Sequence, residues 1–276
     1  MNPDSHARVV VWLDPTAPQE NSLPVLASLG AAAEILGLFV EDINLLELSR
    51  LPVAREITFE GPGAKLIEPR NIERQFRAHG NRMQNLFETA VKNIGASHSF
   101  QVIRGELCAE LLKVSTDCDM LVLSHSRRHF GPRLTIRTRL GEILESGPPT
   151  LVFVQEQWRT GQRVATLFDG SEQSLAALRI AVSIASSENL DLSVWLPDLA
   201  DVERQQLEVR AREVINGSLT RYSLRVLRTQ NVDALVNAAS AENIRALVLP
   251  GLRSVETRQL IAELLDRVNC SLIVTR

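Results

Sequence analysis

Two aspartates close short apolar runs, Asp14 at the end of RVVVWLD and Asp169 at the end of RVATLFD, and the second continues into Gly170 and Ser171. An aspartate in that position has two uses. Its carboxylate can cap the turn into a following helix by accepting backbone N–H groups. It can also face a ligand at the carboxyl edge of a parallel sheet, where open α/β sheets bind. A second chemically competent group follows the run MLVL: Arg127, Arg128, Arg133, Arg137 and Arg139, with His125 and His129 among them. Guanidinium forks hold phosphate or carboxylate without a glycine cradle, and the same residues also suit a solvated loop and helix face. His125 and His129 would share a face on a helix, but this stretch leaves a strand and runs into Gly131 and Pro132, so no metal site is expected there.

The sequence contains no G-x-S-x-G elbow, phosphate-binding G-x-x-x-x-G-K-[ST] loop, H-E-x-x-H pair or G-x-G-x-x-G run. No catalytic residue is therefore assigned. Cys108, Cys118 and Cys270 form no C-x-x-C pair, which fits buried, reduced thiols better than a disulfide framework or a zinc cluster. A formal charge of -3 lacks the basic excess of nucleic-acid or anionic-lipid binders, so neither partner is expected. The N-terminus lacks the charged start and apolar core of a signal peptide, and no apolar run is long enough to span a bilayer, giving a cytoplasmic expectation. Aromatic residues make up only 4% of the chain, so the core must be aliphatic.

The elements that position these residues occur twice. Each aspartate-terminated strand leads into a helical stretch of small residues, over 22–33 and 174–186, and then a second strand, EILGLFV or LDLSVWL. A long amphipathic segment follows, over 72–94 with Ile72, Phe76, Met83, Leu86, Phe87, Ala90 and Ile94 on one stripe, or over 199–215. Third strands SFQVIR and SLRVLR precede helices over 107–115 and 232–239. Last come an aliphatic strand, an arginine-bearing loop, an amphipathic helix and a final strand, over 120–154 and 246–275. MLVL, LVFV, ALVL and LIV are apolar on both faces, as strands between two helix layers must be. The order predicts an α/β chain of two tandem, doubly wound five-stranded parallel sheets. The first unit covers 1–155 with an insertion at about 41–70, the second covers 163–276, and a polar linker lies between them. Right-handed crossovers bring the ends of the first and fourth strands of each unit together, which is where a site is to be sought.

On the strand and turn FDGSEQSLAALRIAVSIA and the turn SHSR, the chain resembles tandem universal stress proteins, over nearly all of 8–275. The resemblance implies an adenine nucleotide alpha hydrolase-like fold and, in nucleotide-binding members, ATP. The family's loop after the fourth strand reads G-x-x-G, nine residues, then G-S or G-T. Its glycines let backbone N–H groups approach phosphates, and its hydroxyl adds a donor. Here the opening glycines fall on Leu123 and Ser126, beside Ser124 and Arg127, and the closing pair falls on Arg137 and Thr138. In the second unit Gly251 remains, while the closing pair reads Arg258 and Gln259. Both loops have thus lost the cradle. The resemblance further implies that Asp14, or Asp169 with Gly170 and Ser171, contacts the nucleoside, and that backbone at Val40 or Leu196 lies by the base.

These readings together predict a non-catalytic stress-response or regulatory protein that forms an internal pseudo-dimer, without the usual ATP loop and with no cofactor. The alternative is an ATP- or AMP-binding module with slow or no hydrolysis. Family members commonly pair their final strands across the interface, which here implies 151–154 against 272–275, in a monomer or a dimer of tandem chains. The insertion gathers Ile43, Leu45, Leu46, Leu48, Leu51 and Val53, more apolar residues than a surface loop needs. It is read as a lid over the first sheet or, over 41–63, as a contact for an unidentified protein partner.

Overall fold

A computed structural model describes residues 7–14, 33–50, 55–57, 64–66, 69–92, 94, 96–125, 140–155, 161–218, 220–229, 231–251 and 255–276. The helix expected over 22–33 falls mostly outside them, and Ala33 opens a strand.

In the first half, β1 (Ala7–Trp12), β2 (Ala33–Asp42), β5 (Ser97–Gly105), β6 (Met120–His125) and β7 (Thr150–Gln155) are mutually parallel. In the second, β8 (Arg163–Leu167), β9 (Asp191–Pro197), β10 (Tyr222–Leu227), β11 (Ile244–Pro250) and β12 (Ser271–Thr275) are also parallel. The ten strands form one sheet in the order β10-β9-β8-β11-β12-β7-β6-β1-β2-β5. Each half is a five-stranded parallel array, and the two join where 151–154 and 272–275 were expected to pair: β7 and β12 run antiparallel, with Leu272 opposite Phe153 and Thr275 opposite Thr150, so the whole is one mixed sheet. The physical reason lies in the strands themselves. Every residue of β7 and of β12 is buried, so an open edge at either would leave backbone N–H and C=O groups unpaired in an apolar setting.

Period-2 alternation sorts the strand side chains into two aliphatic layers. On one face Val10, Trp12, Leu121, Leu123, Leu151, Phe153, Leu247, Leu272 and Val274 join α3 (Leu107–Ser115), α4 (Leu140–Ser146), α7 (Val232–Ala241) and α8 (Val255–Arg267). On the other, Val9, Val11, Val122, Val152, Val164, Val248 and Ile273 join α2 (Pro69–Lys92), α5 (Glu172–Ser187) and α6 (Asp201–Ile215). Each apolar run thus serves both faces, which is why it carries no polar alternation.

The seam is also tied outside the ladder, and in a reciprocal way. The Gln155 amide at the end of β7 donates Nε2–H to the carbonyls of Leu265 (3.5 Å) and Val268 (3.0 Å) at the end of α8. Arg276, just past β12, donates from Nη2 to the carbonyls of Ile143 (3.4 Å) and Leu144 at the end of α4. Each half therefore donates a side chain to carbonyls at the C-terminal end of the other half's helix. The short connection is anchored as well: Gln162 N–H donates to Asn243 O (3.1 Å), and Arg245 Nε–H donates to Gly161 O (2.8 Å).

The insertion contains α1 (Ile43–Ser49) and an antiparallel pair, β3 (Arg55–Ile57) with β4 (Ala64–Leu66). Asp42 caps α1 by accepting Asn44 N–H at 2.9 Å. Leu46 packs with Ile72 and Phe76, so α1 rests mainly on α2 and also touches the edge strand β5, while Ile43, Leu45 and Leu48 stay exposed. Leu51 and Val53 lie outside the described residues.

Candidate functional site

Strand order reverses between β8 and β11 in the second half, and between β1 and β6 in the first. At such a switch the connections leave in opposite directions and a crevice opens outside the carboxyl ends. Thr166 pairs with both Val194 and Val248. Asp169 and Gly251 thus stand equally far beyond a matched pair, with Leu196 on the neighbouring strand.

The Asp169 turn is built locally. Its Oδ1 accepts the Ser171 N–H at 2.9 Å, closing a turn over Gly170, whose φ of +83° belongs to the left-handed region. Ser171 then caps α5, its hydroxyl accepting Ser174 N–H at 3.2 Å, while the Ser174 hydroxyl donates back to Ser171 O at 3.0 Å. Burial by itself would push the Asp169 carboxyl up, but hydrogen bonds from the hydroxyl and N–H of Ser171 and the hydroxyl of Ser174 outweigh it and hold the group below the usual aspartate range. The carboxylate is therefore ionised and directed into its own turn.

A residue the sequence did not single out closes this turn from above. Arg210 of α6 donates Nη1–H to Gly170 O at 2.7 Å and reaches Glu172 Oε1 at 3.5 Å. Leu207, one helical turn earlier, packs so closely that a Cβ on Gly170 would lie 2.6 Å from its Cδ2. The signal available in the sequence was the Leu207, Ala211 and Ile215 stripe, which shows that α6 packs; it gives no hint that the turn some forty residues earlier is what it meets.

Gly251 has a structural task of its own. Its N–H donates to Thr275 O, and a side chain there would overlap that carbonyl. The glycine lets the end of β11 approach the end of β12, a close backbone contact that accounts for it without any phosphate.

In the first half, Trp12 is registered with Leu38 of β2 and Leu123 of β6. Asp14, Val40 and Ser124 accordingly share one carboxyl edge, and all three are buried, Asp14 completely. Beside Val40, the mostly buried Glu41 carboxylate accepts Nε–H and Nη2–H of Arg104, at 2.8 and 2.7 Å, locking β2 to the edge strand β5. This pair too was not read from the sequence, since it rests on the β2 to β5 register. Ser126, Arg127 and Thr138 lie outside the described residues, as do Arg128, His129, Arg133, Arg137 and Arg139.

All three cysteines are buried. Burial pushes the Cys118 thiol up to about 11, so it is protonated and unreactive at neutral pH. Among the described residues no three His, Cys, Asp or Glu side chains are grouped to hold a metal ion. None of the described helices is long and apolar enough to cross a membrane.

No protein-family model matches the chain. A search of curated proteins likewise finds no match. Solved structures do match over nearly the whole length. A universal stress protein from Archaeoglobus fulgidus DSM 4304 superposes with a TM-score of 0.67 at 15% identity, covering 99% of this chain and 97% of that one. A putative universal stress protein from Pseudomonas aeruginosa UCBPP-PA14 gives 0.56 at 13% identity, with 99% and 93% coverage. The cytoplasmic domain of a prokaryotic cation chloride cotransporter gives 0.54 at 12% identity, with 98% and 95% coverage. The chain thus has a universal-stress-protein-like α/β fold.

Proposed function

We propose that this chain is a non-catalytic, cytoplasmic stress-response or regulatory protein of universal-stress type, built as a tandem pair of units that form an intramolecular pseudo-dimer without the usual ATP-binding loop. The observation that carries this reading is the state of the second carboxyl edge. The groups a nucleotide would recruit there are already bonded within the protein: Asp169 to Ser171 N–H, Gly251 N–H to Thr275 O, and Gly170 O to Arg210. We therefore read the described part of this edge as unsuited to a nucleotide.

Support for the pseudo-dimer comes from the antiparallel β7 and β12 pair and from the matching reaches of Gln155 and Arg276. A role in regulation rather than reaction agrees with the structural match to the cytoplasmic domain of a prokaryotic cation chloride cotransporter. The exposed Ile43, Leu45 and Leu48 of α1 suit contact with a protein partner through 41–63.

A second reading is favoured by the first edge, where Asp14 is wholly buried beside Val40 and Ser124. In it the chain is an ATP- or AMP-binding module with slow or no hydrolysis, using that edge with Ser126, Arg127 and Thr138. Native mass spectrometry of freshly purified protein separates the two. The first reading expects the bare mass of one chain or of its dimer, and a stoichiometric adenine nucleotide on each chain would establish the second.

A further inference from the structure

We propose that the cavity at the seam binds a small amphipathic anion, a carboxylate or phosphate ester carried on an apolar body, with Arg258 and Arg276 holding the anionic head. This goes beyond the functional reading above: the cavity lies on the β12 side of β11 and meets the second carboxyl edge at Gly251, which lines it, while Asp169, Gly170 and Ser171 are not among its described lining residues.

The cavity measures about 370 Å³, within the range of roughly 300–1,000 Å³ typical of small-molecule sites. Both halves build it. Leu151, Ile261 and Val274 supply an apolar floor, all three buried on the same face of the sheet. Glu145, Arg258 and Arg276 supply the polar part. An apolar body and an anionic head are what such a lining selects: the guanidinium forks of Arg258 and Arg276 suit a negative group, and the floor rewards an apolar one.

The two arginines differ in how they are held, and this assigns their roles. Arg276 is fixed by the carbonyls of Ile143 and Leu144 and by its own N–H to Pro149 O at 2.9 Å. Its guanidinium is therefore placed before any ligand arrives, which lowers the ordering cost of binding. Arg258 reaches across the seam to Glu145, Nη1 to Oε2 at 2.9 Å, and the Glu145 side chain is 67% exposed. Such a surface pair is weak, so a ligand carboxylate can take the place of Glu145 on Arg258 while Glu145 returns to water. Glu145 is then an internal competitor for the site.

That competition makes the proposal testable with the full-length chain. Saturation-transfer NMR and calorimetry would be run with hexanoate and phenyl phosphate as probes, hexanol as the neutral counterpart, and inorganic phosphate as the headgroup alone. The expected result is saturable binding of one or both amphipathic anions, with hexanol and free phosphate much weaker. Arg258→Gln should weaken binding by about tenfold or more, and Glu145→Gln should strengthen it by several-fold. Both substitutions fall on partly exposed side chains, and circular dichroism of each variant confirms the fold. Absence of binding by every probe at about 5 mM, hexanol binding as well as hexanoate, or Glu145→Gln weakening the anion would each overturn the proposal.

Discussion

The helices α2 and α6 occupy the same place in their halves, each following the second strand and preceding the edge strand, yet they are held in different ways. Along α2, Ile72, Phe76, Gly80, Met83, Phe87 and Val91 are buried, so the helix is core over most of its length. In α6 only Ala211 and Ile215 are buried, both in the last part of the helix. Its N-cap, Ala200, makes no side-chain capping bond, and Val202 and Val209 are 68% and 57% exposed. Over the first two-thirds of α6, Leu207 packs partly buried against the core layer and, with Arg210, also meets the Asp169 turn. Equal topology therefore does not give equal anchoring: the first half uses this helix as structure, and the second uses it as a cover over a turn.

The largest test of that contrast is removal of the α2 anchor. Phe87 is fully buried, packed against Phe100 and Gly37. Phe87→Ala should cost about 3–5 kcal/mol, read as a lower urea midpoint with an unchanged slope. Next comes Gly170→Ala, which places a side chain at φ +83° and against Leu207; a loss of about 1–3 kcal/mol is expected. Hydrogen exchange should localise that change to α6, and a uniform response across both halves would contradict the cover described here.

Loss of the α5 cap in Ser171→Ala should cost about 1 kcal/mol. The same substitution removes the Ser171 hydroxyl that helps hold the Asp169 carboxyl down, so carboxyl NMR should show the Asp169 pKa rising towards the ordinary aspartate value. The sign of the pH effect follows. With a depressed pKa in the folded state, the contribution of Asp169 is complete above the unfolded value of about 3.9 and is lost as pH falls through the lower folded value. The stability difference between the native chain and Asp169→Asn should accordingly shrink below about pH 4. Smallest of all is Val209→Gln on the outer face of α6, expected to change stability by less than about 0.5 kcal/mol. A larger loss would mean that α6 is buried in some assembly.

The order of strands and helices along the chain and their layering were legible in the sequence because β6, β7, β11 and β12 are aliphatic on both faces, and α5 and α7 lie where helices were expected over 174–186 and 232–239. The single continuous sheet was not written in any local pattern, since a strand buried on both faces reads the same whether its neighbour is parallel or antiparallel. The α1 helix and the β3 and β4 pair were read only as an apolar insertion, because elements of seven and three residues are too short to show a period. At the site, the capping use of Asp169 was readable from Asp-Gly-Ser. Arg210 and the Glu41 to Arg104 pair were not, because each depends on a tertiary partner far along the chain. Gly251 invited a phosphate reading, and its close approach to Thr275 at the ends of β11 and β12 was not legible in the sequence.

The central claim is that the second carboxyl edge is closed by its own hydrogen bonds. Calorimetric titration of the native chain with ATP and AMP tests it most directly. The account predicts only heat of dilution at millimolar nucleotide, unchanged in Asp169→Ala and in Arg210→Ala. Saturable binding with a Kd below about 1 mM that Asp169→Ala abolishes would contradict it.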